Sequence, residues 1–383
     1  MPRLVLLSPD IGRRIPEATN GGTGGWWPVD VLVAGASGAV GGELCRRLER
    51  SGATTWRISR SGGPGARDVA WRIGAEEAPR TVRRSWDVMV NAAADTRWGL
   101  PAEEAYTANT ASTAAFFALA GPDTHVVQLS TIAVEGRGAA LEHGQQNPED
   151  FHNTYEWAKA RAEVWVAREH PGADIVRLPL ICGRRDDGFI DRFGGVFALM
   201  RGLCSGALPV VVGDPGGYVD IASTDDAAGI ITRIVMSGPA GRTSGHARVA
   251  VVGGGTAALS VDGTHKVIID GLNEWRARRG VAPIEPPPYV KPRAWDRFYL
   301  PMARKHLSRS QLGAVESYGR FRPYFNRSHP IDVTDPVADP SEALYRSVLH
   351  WADRHVHAAA RVPKPWTSKS AGTSADTDSS KDA

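Results

Sequence analysis

The chain of 383 residues has little cysteine, little lysine and no long apolar run. Its three cysteines, Cys45, Cys182 and Cys204, stand far apart, without the spacing of a metal site or the density of a disulfide scaffold. They read as reduced, mostly buried thiols of a cytoplasmic protein, and no metal site is expected. No segment approaches the roughly 20 apolar residues that a membrane span needs, and Leu4–Leu7 is too short for a signal-peptide core. A net charge of +3 is too small to argue for nucleic acid as a partner. A composition of 42% hydrophobic and 23% charged residues is that of a globular protein able to bury a large core. Lysine is the telling scarcity, with seven against thirty-eight arginines, and the first of them is Lys159.

That lysine ends a Tyr155-x-x-x-Lys159 step, and Thr131 closes an apolar run from Val126 just upstream. Eight tyrosines and seven lysines give roughly 0.15 chance matches to this spacing, so the step carries information. Two residues four apart on a helix share a face. An ammonium there is expected to lower the phenol's pKa, so that the tyrosine exchanges a proton near neutral pH. The bland alternative is a half-buried tyrosine beside a surface lysine.

A second motif decides between them. Asp30–Ala34 reads as a short buried strand, followed at once by Gly35, Ala36, Ser37, Gly38, Ala39, Val40 and Gly41. Val40, Leu44 and Leu48 then recur at helical spacing until Gly52. Strand, glycine turn and helix together offer a pyrophosphate free backbone N–H groups at a helix N-terminus. The next strand, Thr54–Ser59, is followed by Arg60, with no acid between Ala53 and Arg67 to hold a ribose 2′-hydroxyl. Arg57, Arg60 and Arg67 suit a 2′-phosphate instead, so NADPH is expected over NADH, with Arg60 as the leading contact.

Strands are expected at 86–91, 125–130, 174–178 and 248–252, and helices at 102–119, 155–168 and 344–356. Such alternation predicts an α/β fold, a doubly wound parallel sheet wrapped by helices. Residues 1–28 read as an N-terminal extension, 29–240 as the dinucleotide-binding domain and 241–362 as a smaller C-terminal substrate lobe. The glycine-rich stretch 183–217 reads as a substrate-side loop with a helix inside it. The mixture over 363–383 reads as a disordered tail. Residues 271–330 are proline-broken and basic, twelve Lys or Arg against four acids, which a solvated surface explains slightly better than a binding patch.

Together these residues resemble the extended short-chain dehydrogenase/reductase superfamily, and within it the thioester reductase and fatty acyl-CoA reductase branch, the male-sterility type. The resemblance rests on Gly35–Gly42, Val90–Arg97, Leu129–Gly136 and Asn153–Lys159, and more loosely on Arg177–Gly183 and Tyr218–Asp226. It implies a Rossmann-like fold in which Gly35, Ser37, Gly38, Ala39, Val40, Gly41, Ala92 and Ala93 meet the cofactor. Asn109 would brace the central strands, and Pro179 to Ile181 would pass the nicotinamide amide. Thr131 would hold the substrate carbonyl and Tyr155 give it a proton. Lys159 would bind the nicotinamide ribose and lower the tyrosine's pKa. The implied reaction is hydride transfer from NADPH to an acyl thioester, carried by coenzyme A or an acyl carrier protein, giving aldehyde or alcohol. A ketone or alcohol oxidoreductase and a nucleotide-sugar epimerase are the alternatives on the same scaffold. Asn153 is expected to cap the helix bearing Tyr155, with Glu156 answering three residues on. Two departures stand out: Trp71–Ala75 lacks the family's acid near the adenine, and Ser223 replaces an expected proline. Pocket residues are expected from Thr96, Arg97 and Trp98 and from the 183–217 and 271–330 stretches.

Overall fold

Eight strands make the central sheet: β1 (Asp30–Ala34), β2 (Thr54–Ser59), β3 (Asp68–Ala70), β4 (Val88–Asn91), β5 (His125–Thr131), β6 (Asp174–Leu178), β7 (Arg248–Gly253) and β8 (Asp335–Pro336). Their order across the sheet is β8-β7-β6-β5-β4-β1-β2-β3, and every neighbouring pair is parallel. The structure is a computed structural model that describes residues 29–134, 147–238 and 245–363. The extension expected over 1–28, and all but Pro363 of the expected tail, lie outside the described residues.

The strands are apolar nearly throughout because both faces of the sheet are covered. Alternation along each strand sends Val31, Val33, Val88 and Val90 to one face, where Leu44 and Leu48 of the helix Ala39–Arg50 and Ile231 of the helix Thr224–Met236 meet them. Leu32, Ala34 and Met89 go to the other face, against Phe116, Phe117 and Val166. Val166 belongs to the helix Thr154–Glu169. The two phenylalanines end a helix that runs Ala102–Tyr106, passes through a π-helical segment at Thr107–Ala111 and resumes at Ser112–Phe117. The sheet is therefore doubly wound.

Chain direction across the sheet reverses between β1 and β4, which opens a crevice beyond their carboxyl ends, the place where such sheets bind ligands. Over that crevice sits a second, all-apolar cluster that includes Phe197, Leu203, Trp275, Phe325, Leu344 and Trp351. It draws on the helices Phe197–Ser205, Val261–Ala277 and Ser341–Arg354. Phe197–Ser205 is the helix expected inside the 183–217 stretch. The sheet itself runs on past residue 240, since β7 and β8 lie outboard of β6. Much of the basic 271–330 stretch pairs within its own lobe: Arg279 with Asp353 at 2.9 Å, Arg304 with Glu316 at 3.5 Å and Arg322 with Asp296 at 2.5 Å.

Candidate active site

The crevice is a cleft of about 900 Å³. The glycine turn enters it tightly. Gly35 holds φ +76°, and a Cβ there would lie 2.6 Å from the Ala92 carbonyl carbon. A Cβ on Gly41 would stand 2.2 Å from the Gly35 carbonyl oxygen. Both glycines are thus demanded by chain packing. Gly38, by contrast, is the N-cap of the helix Ala39–Arg50, with no side-chain cap and no acid in the first turn, and it lines the cleft with Ala39, Val40 and Gly41. A helix N-terminus left uncapped and facing a cleft suits an anion.

Of the other residues expected at the site, Ala92, Ala93, Thr131, Tyr155, Lys159, Pro179 and Ile181 line this one cleft. Thr131 ends β5, and its Oγ1 accepts the Ala133 N–H at 3.2 Å. The Asn153 side chain caps the helix of Tyr155 by accepting the Glu156 N–H at 2.9 Å. The reciprocal half of that cap differs from expectation, because the Glu156 carboxylate accepts the His152 N–H at 3.2 Å.

Four expected contacts lie outside the cleft lining. Gly35 packs against the Ala92–Ala93 backbone, and Ser37 is exposed, its carbonyl accepting Arg192 Nε at 3.3 Å. Arg60 is exposed at the tip of β2, with no ion pair among the described residues. Asn109 does not brace the strands. Its Oδ1 accepts the Asp95 N–H at 2.9 Å and its Nδ2 donates to the Asp95 carbonyl at 3.1 Å, so it grips the loop after β4 from the π-helical segment. The strands are braced instead by Asn91, whose Nδ2 donates to Thr113 Oγ1 and to Gln128 Oε1, each at 3.0 Å.

The electrostatics of the tyrosine also differ from expectation. Burial pushes the Tyr155 phenol well above its ordinary range, and the Glu156 charge adds to that. Lys159 is buried, its Nζ donating to the Leu129 carbonyl at 2.6 Å, and burial lowers it to about 8 against the opposing charge of Glu163. Desolvation disfavours the charged form of both groups, and spacing along a helix does not report it.

The remaining lining comes from far along the chain. Trp98 packs on Phe321 at 4.7 Å and on Tyr324 at 5.0 Å between ring centroids. Phe193, Arg192, Arg201, Arg320, Arg327 and Asp220 complete the wall. Thr96 lines the cleft too, but Arg97 does not; it turns back onto Asp95 at 2.7 Å. No pattern in the sequence marks which arginines face inward. Among the described residues no cluster of His, Cys, Asp or Glu is set to hold a metal, and no helix is long and apolar enough to cross a membrane.

Residues 74–231, which hold Thr131, Tyr155 and Lys159, match the family model for male sterility protein. That match takes in β4, β5, β6 and the helix of Tyr155, and it leaves out the glycine turn. The terminal R domain from the myxalamid PKS-NRPS biosynthetic pathway shares its fold, with a TM-score of 0.61 at 16% identity over 88% of this chain and 93% of that one. The thiolation-reductase di-domain of an archaeal non-ribosomal peptide synthetase gives 0.60 at 15% identity, over 86% and 76%. A human epimerase family protein solved with NADPH gives 0.52 at 15% identity, over 84% and 99%. At such identities the likeness is one of fold. Comparison with the curated proteins finds no match.

Proposed function

We propose that this chain is an NAD(P)-dependent oxidoreductase of the extended short-chain dehydrogenase/reductase type, which uses NADPH to reduce an acyl thioester to an aldehyde. The observation that carries the reading is the meeting, in one cleft, of the uncapped glycine-turn helix with Thr131, Tyr155 and Lys159. The male-sterility match and the fold shared with two reductase domains of thiotemplate pathways support the thioester as substrate.

The residues present fit a dinucleotide. Gly38, Ala39 and Val40 would hold the pyrophosphate at the helix N-terminus, with Arg192 anchored beside them through the Ser37 carbonyl. Arg60, free of any ion pair among the described residues, would take the 2′-phosphate; Arg57 is engaged with Glu49 at 2.6 Å. Bound NADPH supplies the hydride. Thr131 and Tyr155 then donate hydrogen bonds to the carbonyl oxygen as negative charge grows there, and such donors act best when already in place. The protonated phenol of Tyr155 is the state that reduction needs, since it gives its proton to that oxygen. Lys159 would turn from the Leu129 carbonyl toward the ribose. The hemithioacetal so formed then breaks its C–S bond: the hydroxyl proton returns to Tyr155, the sulfur leaves and takes up a proton, and aldehyde and free thiol result. Arg201 and Arg320, which line the cleft without carboxylate partners among the described residues, would meet the phosphate of coenzyme A or of a carrier's arm.

The test is NADPH oxidation against a panel of acyl-coenzyme A and carrier-bound acyl thioesters, with the aldehyde trapped and identified. Oxidation with simple ketones but with no thioester overturns the substrate and leaves a ketone reductase. Protein purified with NAD tightly bound would instead favour epimerisation.

A further inference from the structure

Beside the tyrosine sits a carboxylate that the reaction as written does not use. Glu156 is fully buried, one position after Tyr155 in the first turn of its helix. It is surrounded by donors from two segments, the loop 152–153 and the C-terminal lobe. The His152 N–H lies 3.2 Å from Oε2 and the His152 ring Nδ1 3.3 Å from the same oxygen. Asn153 Nδ2 stands 3.5 Å from Oε1. The Tyr324 hydroxyl, from the C-terminal lobe, donates to Oε1 and itself accepts from Asn153 Nδ2 at 2.7 Å.

A capping acid alone accounts for part of this, because a carboxylate in the first turn of a helix satisfies free N–H groups and the helix dipole. It does not account for Tyr324, which arrives from 168 residues away to complete the ring. Nor does it account for full burial, which is costly for a carboxylate unless its oxygens are well bonded. Tyr324 is fixed from behind. Its neighbour Phe325 is buried in the lobe's core, stacked on Phe321, and Trp98 packs on both Phe321 and Tyr324. The ring of Tyr324 meanwhile lines the cleft. One side chain therefore touches the substrate wall and the turn that presents Tyr155.

We propose that Glu156 is a positioning residue: held by Tyr324, it ties the C-terminal lobe to the first turn of the Tyr155 helix, so that the phenol is set for proton donation only when the lobe is docked. This rests on Tyr155 as the proton donor. The charged and titratable groups around the pair are Lys159 and Glu163 on the same helix, His152 on the preceding loop and Tyr324 on the lobe. Glu156 itself carries the negative charge that opposes phenolate formation at Tyr155. The device favours reduction, because it keeps the donor protonated while leaving its hydroxyl in the cleft.

Two variants test it. Glu156→Gln keeps a side chain able to bond Tyr324 but removes the charge. Tyr324→Phe keeps the ring and removes the tether. In the NADP⁺-bound protein the ultraviolet tyrosinate signal of Tyr155 is isolated by subtracting the matching Tyr155→Phe variant. Glu156→Gln is expected to move that titration roughly half a pH unit or more toward acid. Tyr324→Phe is expected to lower kcat about tenfold while KM for the thioester and the melting temperature stay near wild type. An unmoved titration overturns the role of Glu156 whatever the substrate, and an unchanged kcat in Tyr324→Phe overturns the tether. Loss of thioester turnover in the wild type itself, with the titration still shifted, overturns only the substrate and not this inference.

Discussion

The two walls of the cleft differ in how far apart in sequence their parts lie. The cofactor wall is built from short pieces that each carry their own geometry: a strand, a glycine turn and a helix within Asp30–Arg50, then the ends of β4 and β5. The substrate wall is assembled from Trp98, Phe321 and Tyr324, joined by ring packing across more than two hundred positions, with Phe193 lining the same cleft. Motifs made of backbone demand particular residues at fixed offsets. A wall made of side-chain contacts demands only shape and tolerates many solutions. The first kind is readable one residue at a time, and the second is not.

The largest expected effect breaks the comparison at its centre, where the walls meet. Tyr155→Phe removes the hydroxyl alone and is expected to cost turnover a factor of roughly 10² to 10⁴ while NADPH affinity stays within about twofold. Steady-state kinetics beside a cofactor-fluorescence titration would show this, and retained turnover would refute the role of Tyr155. Next comes the glycine turn. Gly41→Ala places a methyl 2.2 Å from backbone that cannot yield, and is expected to destabilise the fold by about 3 kcal/mol and to weaken cofactor binding as well. Denaturant unfolding and a binding titration would show both losses together. A variant that melts normally and binds NADPH normally would mean that the turn is less confined than its geometry shows.

Most of the sheet was legible because each strand is a bounded apolar run between turn residues, and the helix over 102–117 showed its apolar period. β3 escaped because it spans only Asp68–Ala70, at the sheet edge, with none of its three residues fully buried. The helix Thr224–Met236 was not among the expected elements, although Ser223, noted only as a departure from the family's proline, opens it. Its Oγ accepts the Asp226 N–H at 3.0 Å, an ordinary N-cap, and the substitution thus preserves the helix start. The triad of types at 131, 155 and 159 was visible as spacing, and the structure brings the three to one cleft. Their charge states were not visible, because they depend on burial supplied by the rest of the fold. Nothing near Glu156 in the sequence announces Tyr324, since the partner that defines its surroundings is decided by how the lobe closes.

Lys159 sharpens the same contrast, as a cofactor-wall residue whose cost is tertiary. Its ordinary value is 10.5, and burial lowers it to about 8. The folded protein thus holds this proton less firmly than the unfolded chain does. The resulting penalty is fully present below pH 8 and falls away as pH rises from about 8 to 10.5. It amounts to about 3 kcal/mol, of which the lost bond to the Leu129 carbonyl would offset about 1. Lys159→Met is therefore expected to be more stable than wild type by about 2 kcal/mol at pH 7, while inactive. Unfolding at pH 7 and at pH 10 would show the gain shrinking at the higher pH. A variant less stable at pH 7 would show that the amine is well solvated in the folded protein.

The smallest expected effect lies at the cofactor wall's outer edge, where a single exposed side chain is asked to choose the cofactor. Arg57, Arg60 and Arg67 all stood near the tip of β2 in the sequence, and the structure sets Arg57 apart from the other two. Arg57 bonds Glu49 at 2.6 Å and approaches Asp68 at 3.9 Å, so a phosphate would have to compete with two carboxylates for it. Arg60 has no such partner among the described residues and bears on Asp95 in the loop after β4. Its guanidinium is left to gain a charge-assisted bond, as is that of the exposed Arg67. Arg60→Ala should then weaken NADPH about tenfold, the worth of one such bond at an exposed site, and leave NADH unchanged. Added salt should weaken NADPH binding to the wild type more than to the variant, because an exposed charge pair is screened. Equal loss of both cofactors would instead place Arg60 in the general packing of the crevice rim, and selectivity would then have to come from a group nearer the glycine turn.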